Sequence, residues 1–467
     1  MDRKQLKMLE YWLGRAGRRP LVIRGARQVG KSTLVKLFAD QIKVPLAVVN
    51  LERHPELNSI FGSMAPQQIL GQLEALPDLP AIGAGTLLFL DEIQAAPAAI
   101  PALRYFYEER PDIPVICAGS LMEFALSEQR LSMPVGRIQY LHMGPMTFTE
   151  YLDALGERKL QDAVESYSLG TDIGPVVHRR LLQLLRSYYF VGGMPAAVDA
   201  FARSSRPRDV SEVHSLIIQT YRDDFQKYAR SRNLQRLQHV LNFAARNVGT
   251  KVKYSNVMQD VHSATIRQDI ELLSMARVIT KVIHTHASGL PLQSELDDKV
   301  YKLLFLDVGL MNAVCGLGWD VLSKSDDVKL INEGGTAEQF VGQHLQDLLA
   351  QSPNRELTYW LREGRSSNAE VDFVIALDGQ IVPIEVKAGG KGSLRSLHQF
   401  MSEKKAPLAV RFDSNPPSIQ HIATSIQTRA GSIGVSYRLL SLPLYLVEKL
   451  GEVVHTASHE RPGGGSS

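Results

Sequence analysis

The first 150 residues alternate short apolar segments with segments of helical periodicity. Four apolar segments are expected to form strands, namely Pro20–Arg24, Leu46–Asn50, Thr86–Leu90 and Val115–Ala118. Helical patterns lie between them, for example at Ser32–Gln41 and Ile100–Glu109. Strands that alternate with helices are typical of a parallel sheet with helices on its faces. The pattern therefore predicts an α/β domain with a parallel sheet at residues 1–150.

After this region the pattern changes three times. It is mostly helical from Glu150 to about Asn247, and short helices followed by strands, as in a winged helix, occupy about 249–305. After a polar segment at Asp320–Asn332, a second α/β pattern begins. The final GGGSS has the composition of a linker. The expected divisions of the chain are 1–150, 151–225, 226–320, 333–450 and a tail at 451–467.

Composition and charge exclude several classes of protein. Of the 467 residues, 44% are hydrophobic and 22% are charged, which is ordinary for a globular chain of roughly three domains. Lys and Arg number 52 against 49 Asp and Glu, so contact with DNA would need a local basic patch. Two cysteines, Cys117 and Cys315, cannot build a disulfide framework. No apolar segment approaches the ~18 residues that span a bilayer, so we expect a cytoplasmic protein without a membrane partner.

A phosphate-binding motif follows the first expected strand. It matches GxxxxGK[ST] and consists of Gly25, Ala26, Arg27, Gln28, Val29, Gly30, Lys31 and Ser32, after which Thr33 continues into a helix. Glycines let backbone N–H groups surround phosphate oxygens, and the N-terminus of the helix favours negative charge. Lys31 is expected to hold the β- and γ-phosphates, and Ser32 to place its hydroxyl on Mg²⁺. The motif therefore predicts ATP and Mg²⁺ as cofactors.

The third expected strand ends in two adjacent carboxylates, Asp91 and Glu92, about 60 residues after the phosphate motif. Ligands of open α/β sheets bind at the carboxyl ends of the strands, so both side chains are expected near the phosphates. Asp91 would hold the metal ion through water, and Glu92 would polarise the attacking water. Together with the phosphate motif, this pair indicates a nucleotide hydrolase.

With these motifs the sequence resembles the AAA-type P-loop ATPases. Val115–Ser120 is similar to the next core strand of that family, which places Ser120 at a polar sensor position near the γ-phosphate. Gly136-Arg137 before Leu141–Leu152 is similar to a bacterial and archaeal group of these ATPases, as is the Gly-Gly-x-Pro turn in Phe190–Pro195. The resemblance implies a helical lid and makes Arg137 a candidate for contact with the γ-phosphate, in cis or from a neighbouring subunit of a ring. A surface ion pair explains Arg137 equally well.

A candidate DNA-binding segment lies between the two α/β regions. It contains no acidic residue from position 226 to 259, and its seven basic residues are Lys227, Arg230, Arg232, Arg236, Arg246, Lys251 and Lys253. A helix expected at Tyr254–Val261 and a turn at His262-Ser263 lead to a second helix at Ala264–Leu273. The wing would be formed by strands at Val278–His284 and Tyr301–Leu306. The segment resembles winged-helix DNA-binding domains, although such a domain also serves as a protein-binding or lid module.

The second of these helices has the pattern of a recognition helix. Its core side is expected to consist of Ile266, Ile270 and Leu273, which follow the i, i+4, i+7 spacing. Its outward side would then present Thr265, Arg267 and Gln268. Polar, donor-rich side chains near the N-terminus of an exposed helix are suited to the major groove of DNA.

Two acids and a lysine stand on an expected hairpin near the C-terminus. Asp372 precedes a turn at Asp378-Gly379, and Glu385 and Lys387 follow it. Residues i and i+2 share a face of a strand, so Glu385 and Lys387 point the same way and can meet Asp372 across the hairpin. Two carboxylates bind a divalent metal, and a nearby lysine can orient or activate water.

This set resembles the PD-(D/E)XK nucleases. Asp372 followed by Glu385-x-Lys387 matches their signature, and Glu338 matches an acid often supplied by a preceding helix. The resemblance implies Glu338, Asp372 and Glu385 as ligands of Mg²⁺ or Mn²⁺. The leading Pro of the signature is replaced by Val371. A nuclease-like fold without activity, in which these residues form structural salt bridges, accounts for the same pattern.

The sequence thus predicts an ATP-hydrolysing AAA-type protein that binds or acts on DNA and carries a metal-dependent nuclease-like domain. Two other functions fit the same residues. One is a nucleotide-dependent signalling switch whose C-terminal regions bind protein partners. The other is a transcription regulator that binds a defined site through Thr265, Arg267 and Gln268 without cleaving it. DNA would stimulate ATP hydrolysis by a protein that acts on DNA, and it would leave ATP hydrolysis by a signalling switch unchanged.

Overall fold

The computed structural model describes residues 2–120, 133–229, 233–323, 333–350, 352, 356–363, 368–389, 393–428 and 431–459. The chain forms two compact units. The first unit consists of Met1–Met146, Asp223–Ser231 and Glu271–Val278, and the second of Thr147–Arg222, Arg232–Ile270 and Ile279–Ser467. Each unit is therefore assembled from segments that are distant in the sequence.

A five-stranded parallel sheet lies at the centre of the first unit. Its strands are β1 (Leu21–Arg24), β2 (Leu46–Asn50), β3 (Leu87–Asp91), β4 (Val115–Gly119) and β5 (Gln139–His142). Their order is β2-β3-β4-β1-β5, and each neighbouring pair is parallel. All of β4 and nearly all of β3 are buried, as expected for strands covered on both faces. The four expected strands and the parallel α/β architecture are confirmed.

The fifth strand of this sheet was not apparent from the sequence. In β5, Gln139 and Tyr140 are half-buried, whereas Leu141 and His142 are buried. The strand lies at the edge of the sheet beside β1. One side of an edge strand is open, so β5 lacks the continuous apolar segment that marks the interior strands.

Helices pack around the sheet of the first unit. They are α1 (Gln5–Leu13), α2 (Lys31–Ile42), α3 (Leu57–Ser63), α4 (Pro66–Glu74) and α5 (Ala99–Glu109). Leu34, Val35 and Phe38 of α2 are buried. Because α2 begins at Lys31, this packing fixes the N-terminus of the helix at the carboxyl end of β1.

An eight-stranded mixed sheet dominates the second unit. Its strands are β6 (Ile279–Thr285), β7 (Leu296–Phe305), β8 (Leu357–Arg362), β9 (Ala369–Leu377), β10 (Gln380–Val386), β11 (Leu408–Asp413), β12 (Ser418–Thr428) and β13 (Gly431–Pro443). Their order is β12-β13-β11-β10-β9-β8-β6-β7. The pairs β13/β11, β11/β10 and β8/β6 are parallel and the others antiparallel. A second α/β region in the C-terminal part is therefore confirmed.

The strands expected to form the wing of a winged helix belong to this sheet. β6 and β7 pair with each other, and β6 also pairs in parallel with β8. Residues 301–305 of β7 are all buried. A strand buried on both faces needs covering layers that a solvent-exposed wing lacks. The expectation that these strands form a separate wing is therefore wrong.

The second unit also contains most of the helices. They are α6 (Phe148–Ala154), α7 (Arg158–Glu165), α8 (Pro175–Val191), α9 (Pro195–Ser204), α10 (Pro207–Ala229), α11 (Leu234–Arg246), α12 (Tyr254–Val257), α13 (Ser263–Met275), α14 (Val308–Val314), α15 (Trp319–Ser323), α16 (Glu333–Leu349), α17 (Arg395–Lys404) and α18 (Leu450–His459). The ends of α10 and α13 belong to the first unit. Within the described residues, no helix combines the length and apolar character needed to cross a bilayer.

The Gly-Gly-x-Pro turn after α8 surrounds a buried carboxylate. Asp307 is fully buried and accepts hydrogen bonds from the backbone N–H groups of Gly193 at 2.6 Å and Leu310 at 3.0 Å. Gln343 adds a side-chain donor at 3.3 Å. Gly192 has a φ of 70°, and a Cβ on it would lie 2.0 Å from Oδ1 of Asp307. The turn is therefore a binding pocket for the side chain of Asp307 that only glycine permits.

We expect Gly192→Ala to lower the free energy of unfolding by about 3 kcal/mol or more, because the new Cβ would displace a buried carboxylate. Gly170→Ala is the matched control, since Gly170 has a φ of 85° but nothing within 4 Å of its added Cβ. Left-handed strain alone would cost the control about 1–2 kcal/mol. Urea unfolding followed by tryptophan fluorescence measures both, and equal losses would contradict the role given to the Asp307 contact.

Candidate functional sites

The phosphate motif forms the connection between β1 and α2. Gln28 and Gly30 have φ values of 63° and 94°, the left-handed region in which a loop turns its N–H groups toward one point. Gly25 permits a close backbone approach, because a Cβ on it would lie 2.2 Å from the carbonyl oxygen of Met143. The loop has the shape that phosphate binding requires, and its glycines stand where the backbone needs them.

Two arginines brace this loop within the first unit. The guanidinium of Arg3, which is 6% exposed, donates to the carbonyl oxygens of Val29 at 3.3 Å and Gly144 at 2.8 Å. Arg27 of the loop forms an ion pair with the buried Asp224 at the end of α10. The side chain of Arg27 is thus paired with an acid of the protein. Its backbone N–H is the group that would contact a phosphate. Arg3 and Asp224 were missed because neither belongs to a motif.

Lys31 lies folded over the loop. Its ammonium group donates to the carbonyl oxygens of Gly25 at 3.1 Å and Ala26 at 2.7 Å, and the residue is 9% exposed. Phosphate oxygens would form stronger, charge-assisted bonds than these neutral carbonyls. The ammonium group is therefore already positioned where the β- and γ-phosphates are expected.

The hydroxyl of Ser32 and the carboxylate of Asp91 meet at the carboxyl end of β3. Oγ of Ser32 donates to Oδ2 of Asp91 at 2.9 Å, and the N–H of Glu92 donates to Oδ1 at 3.1 Å. Burial raises the pKa of Asp91, and the nearby Glu92 adds to that rise, which the bond from Ser32 opposes. A hydroxyl and a carboxylate at this distance are oxygen groups of the kind that bind Mg²⁺, directly or through water.

Glu92 is held in an unusual backbone conformation. Its φ is 52°, in the left-handed region, and its Oε2 accepts a hydrogen bond from the side chain of Gln94 at 2.5 Å. Such backbone strain in a residue other than glycine is a feature of functional sites. Gln94 fixes the carboxylate and was not identified from the sequence.

Ser120 lies at the same edge of the sheet as these groups. The residue before it, Gly119, pairs with Arg24, the last residue of β1. Ala118 pairs with Asp91 of β3. Ser120 is 5% exposed and directly follows β4, between the two strands that carry the phosphate loop and the acids. This position agrees with the expected sensor.

Arg137 lies near the beginning of β1, at the opposite end of this strand from the phosphate loop. It precedes β5, whose first residue, Gln139, pairs with Leu21 at the beginning of β1. The length of β1 separates it from the phosphate loop, roughly 13 Å at the rise of a strand. Its guanidinium pairs with Glu108 at 2.8 Å on the exposed surface, and this bond raises the pKa of Arg137. A role in cis is therefore not supported by its position.

In the second unit, α13 has the expected amphipathic character. Ile266, Ile270 and Leu273 are fully buried. Arg267 and Gln268 are exposed and Thr265 is half-buried. The preceding helix, α12, is shorter than expected and ends at Val257.

Two basic residues of the candidate DNA-binding segment form ion pairs within the protein. Arg236 pairs with Asp269, a fully buried acid of α13, and Lys251 pairs with Glu363 at 2.7 Å. Arg246 and Lys253 are exposed. The side chains of Lys227, Arg230 and Arg232 lie outside the described residues. The segment is therefore less basic toward solvent than its composition suggests.

The acids of the expected nuclease-like hairpin do meet. Asp378 and Gly379, with φ values of 49° and 71°, form the turn between β9 and β10. Oδ2 of Asp372 accepts a hydrogen bond from the backbone N–H of Val386 at 2.7 Å. The ammonium of Lys387 contacts Oε1 of Glu385 at 2.5 Å. Asp372, Glu385 and Lys387 therefore lie together at one end of the hairpin.

A buried lysine that the sequence analysis missed connects this hairpin to α16. Lys302 of β7 has no exposed area and contacts Glu338 at 2.9 Å, Glu370 and, at 3.9 Å, Asp372. Its ammonium also lies 4.9 Å from the centre of the Tyr359 ring. A lone lysine within the apolar segment of β7 was the available signal. Together with Glu385 and Lys387, these groups form the acidic cluster of the second unit.

The acidic cluster contains four carboxylates but two ammonium groups. Burial, followed by the charge of Asp372, raises the pKa of Glu385 to about 8. Burial also raises the pKa of Glu338 to about 7, although Lys302 opposes this shift. Oε2 of Glu385 is buried and finds no hydrogen-bond partner among the described residues. Oxygen ligands with unsatisfied negative charge fit a divalent cation, and Asp372 and Glu385 would hold it.

Comparison with known proteins identifies three regions of the chain. Residues 17–152 match the model of an AAA domain, residues 182–321 match a domain of unknown function (DUF8612), and residues 333–426 match another (DUF4143). Midasin of Giardia intestinalis is 31% identical over 87 residues, which are 18% of this chain and 2% of Midasin. The match therefore spans a very small part of that relative.

Solved structures with partial similarity include two archaeal proteins and one bacterial protein. The Aeropyrum pernix ORC2 protein in its ADPNP–ADP complexes is 16% identical, with a TM-score of 0.36 over 68% of this chain and 93% of that chain. The Aeropyrum pernix ORC1 protein in complex with DNA is 16% identical, with a TM-score of 0.29 over 67% and 91%. The Thermotoga maritima RuvB Holliday junction branch migration motor is 17% identical, with a TM-score of 0.27 over 60% and 88%. Similarity this weak carries no information on what this chain binds.

The first unit thus contains an AAA-type P-loop ATPase domain. The match at 17–152 covers the phosphate loop, both acids of β3 and β5. A nucleotide and Mg²⁺ are the ligands of this class of domain. Each of the three models covers less than half of the residues.

We expect Glu92→Gln to lower ATP hydrolysis by about 100-fold or more while ATP binding stays close to that of the wild type. The amide cannot polarise water as a carboxylate does, whereas Lys31 and Ser32 remain in place. Fluorescent-nucleotide binding and phosphate release measure the two steps separately. Glu109→Gln, at an exposed position of the same unit, is the control. Loss of binding and hydrolysis in parallel would contradict the role of Glu92.

Proposed function

We propose that the protein is an ATP-driven enzyme or switch that acts on DNA and carries a metal-dependent phosphodiesterase site in its second unit. The observation that carries the DNA assignment is the acidic cluster. It combines two carboxylates on a hairpin, an unpartnered carboxylate oxygen and the partly exposed Lys387. These groups suit a phosphodiester, whose cleavage needs charge neutralisation and an oriented water.

In the first unit each residue has a separate task. Lys31 would exchange its carbonyl acceptors for the β- and γ-phosphates, and Ser32 with Asp91 would hold Mg²⁺. Glu92, fixed by Gln94, would polarise the attacking water. Ser120 would report the presence of the γ-phosphate. The ion pair of Arg27 with Asp224 supports a link from the loop to α10.

In the second unit, Asp372 and Glu385 would hold a divalent cation, Mg²⁺ or Mn²⁺, that neutralises phosphate charge. Lys387 would orient water toward the phosphorus atom. The exposed Arg267 and Gln268 on α13 support contact with the bases of DNA. The proposed DNA contact on α13 and the proposed cleavage site thus belong to the same unit.

A neighbouring subunit in a ring would give Arg137 a role in trans. Its guanidinium is 43% exposed and pairs with Glu108, a weak surface contact that a stronger partner can replace. A surface cavity of about 440 Å³ beside it is lined by Tyr105 and Val135, which are 47% and 87% exposed. Exposed apolar side chains around an arginine are suited to a neighbouring subunit.

A second candidate is a nucleotide-dependent switch that binds protein partners without cleaving DNA. The ion pairs of Arg236 and Lys251 favour it, because both remove basic groups from the surface expected to face DNA. In that case Lys302 and its acids would hold the fold together, and slow ATP hydrolysis would time partner release.

The deciding experiment measures ATP hydrolysis with and without single-stranded, duplex and branched DNA in Mg²⁺ and Mn²⁺. We expect DNA to stimulate hydrolysis, Lys31→Ala to abolish it, and Asp372→Ala or Lys387→Ala to remove strand breaks without lowering hydrolysis. Lys299→Ala, at an exposed position of β7, is the control for lost charge. If no DNA changes the rate of ATP hydrolysis, the proposal of a DNA-acting enzyme is refuted and the protein-binding switch is favoured.

We expect Arg267→Ala to weaken DNA binding by about 1–3 kcal/mol, because one side chain on a recognition helix contributes that much. Arg206→Ala removes an exposed arginine elsewhere in the same unit and should have little effect. Fluorescence anisotropy at several salt concentrations measures both affinities. Equal effects of the two substitutions would indicate non-specific electrostatic binding.

A further inference from the structure

Two lysines divide the acidic cluster into two halves. Lys302, with no exposed side-chain area, contacts Glu338 at 2.9 Å, Glu370, and Asp372 at 3.9 Å. Lys387 is 27% exposed and contacts Glu385 at 2.5 Å. One half is therefore closed by a buried ammonium group, and the other is accessible from solvent.

Glu338 is held in the closed half by Lys302 and by close packing against Gly249. Oε1 accepts a hydrogen bond from Lys302 at 2.9 Å. Oε2 faces Gly249, where an added Cβ would lie at 2.2 Å. Gly249 has a φ of 74°, so its backbone conformation also favours glycine. The carboxylate is thus packed in place against the lysine.

The free capacity for a ligand lies in the other half. Oε2 of Glu385 is the carboxylate oxygen of the cluster that is buried without a hydrogen-bond partner among the described residues. Asp372 uses Oδ2 to accept the N–H of Val386, and its Oδ1 is 3.9 Å from Lys302. A cation beside Glu385 would therefore find Oε2 of Glu385, which has no hydrogen-bond partner among the described residues, and Oδ1 of Asp372 nearby.

The charges of the cluster indicate a site for one divalent cation. Four carboxylates stand against two ammonium groups, so two formal negative charges remain. One divalent cation neutralises them, whereas a second would leave the buried site with excess positive charge. Without Lys302, three formal negative charges would remain, which one divalent cation does not neutralise. A second ion in the closed half would then leave a single positive charge, against two in the presence of Lys302.

We propose that Lys302 is a built-in cation that takes the place of a second metal ion. The cluster then binds one divalent cation, between Asp372 and Glu385, and Glu338 is not a ligand. Lys302 acts as a positioning residue, because it holds Asp372 through its charge while Glu338 and Glu370 anchor it. This inference rests on the proposed metal site and specifies its stoichiometry and ligands.

The test counts Mn²⁺ ions bound to the nucleotide-free full-length chain, from the electron paramagnetic resonance signal of free Mn²⁺. All proteins carry His455→Ala, which disables an exposed group of Asp378, His455 and His459 that could also hold a metal. We expect one ion per chain and none in Asp372→Asn. Glu338→Gln should still bind one ion per chain, because Glu338 is not a ligand of that ion. Lys302→Met should bind two ions, and Lys302→Arg one.

The outcomes separate this inference from the proposed function. Loss of the ion in Glu338→Gln, or a single ion in folded Lys302→Met, would overturn the role of Lys302 and leave the metal site standing. No ion bound to the parent protein would overturn the metal site and this inference together. Circular dichroism reports whether Lys302→Met folds, and if it does not, Glu338→Gln decides the question.

Discussion

The buried charge of Lys302 is matched by carboxylates from distant parts of the chain. Lys302 has no exposed area, and burial alone would lower its pKa, yet Glu338, Asp372 and Glu370 raise that pKa above its ordinary value. An unpaired ammonium group buried here would strongly lower the stability of the fold. The structure is therefore stable only when β7, β9 and α16 are all in place. The sheet that carries the candidate site therefore depends on this set of ion pairs.

In the ATPase domain, charged side chains form hydrogen bonds with neutral groups. Lys31 is buried and donates to neutral carbonyl oxygens, and the half-buried Asp91 accepts a hydrogen bond from the hydroxyl of Ser32. Phosphate would replace the carbonyl acceptors of Lys31 with charged oxygens, and Mg²⁺ would bring positive charge to Asp91. In both candidate sites, a ligand of opposite charge would thus meet a group that the fold already holds in place.

Two sequence features have structural roles that their motifs did not suggest. The Gly-Gly-x-Pro turn encloses the carboxylate of Asp307, because a Cβ on Gly192 would overlap it. Arg236, counted as part of a basic segment, pairs with the buried Asp269. In both cases a charged group is satisfied inside the fold, so neither composition nor motif alone reveals its task.

The sequence by itself determined the parallel sheet, the phosphate loop and the acids at the end of β3, because each arises from neighbouring residues with a fixed local geometry. It also placed Asp372, Glu385 and Lys387 on one hairpin, whose register follows from the turn at Asp378-Gly379. Only the tertiary structure decided that β6 and β7 join the C-terminal sheet and that Lys302 meets Glu338. Those outcomes depend on which distant segments bury one another, and local periodicity carries no record of that choice.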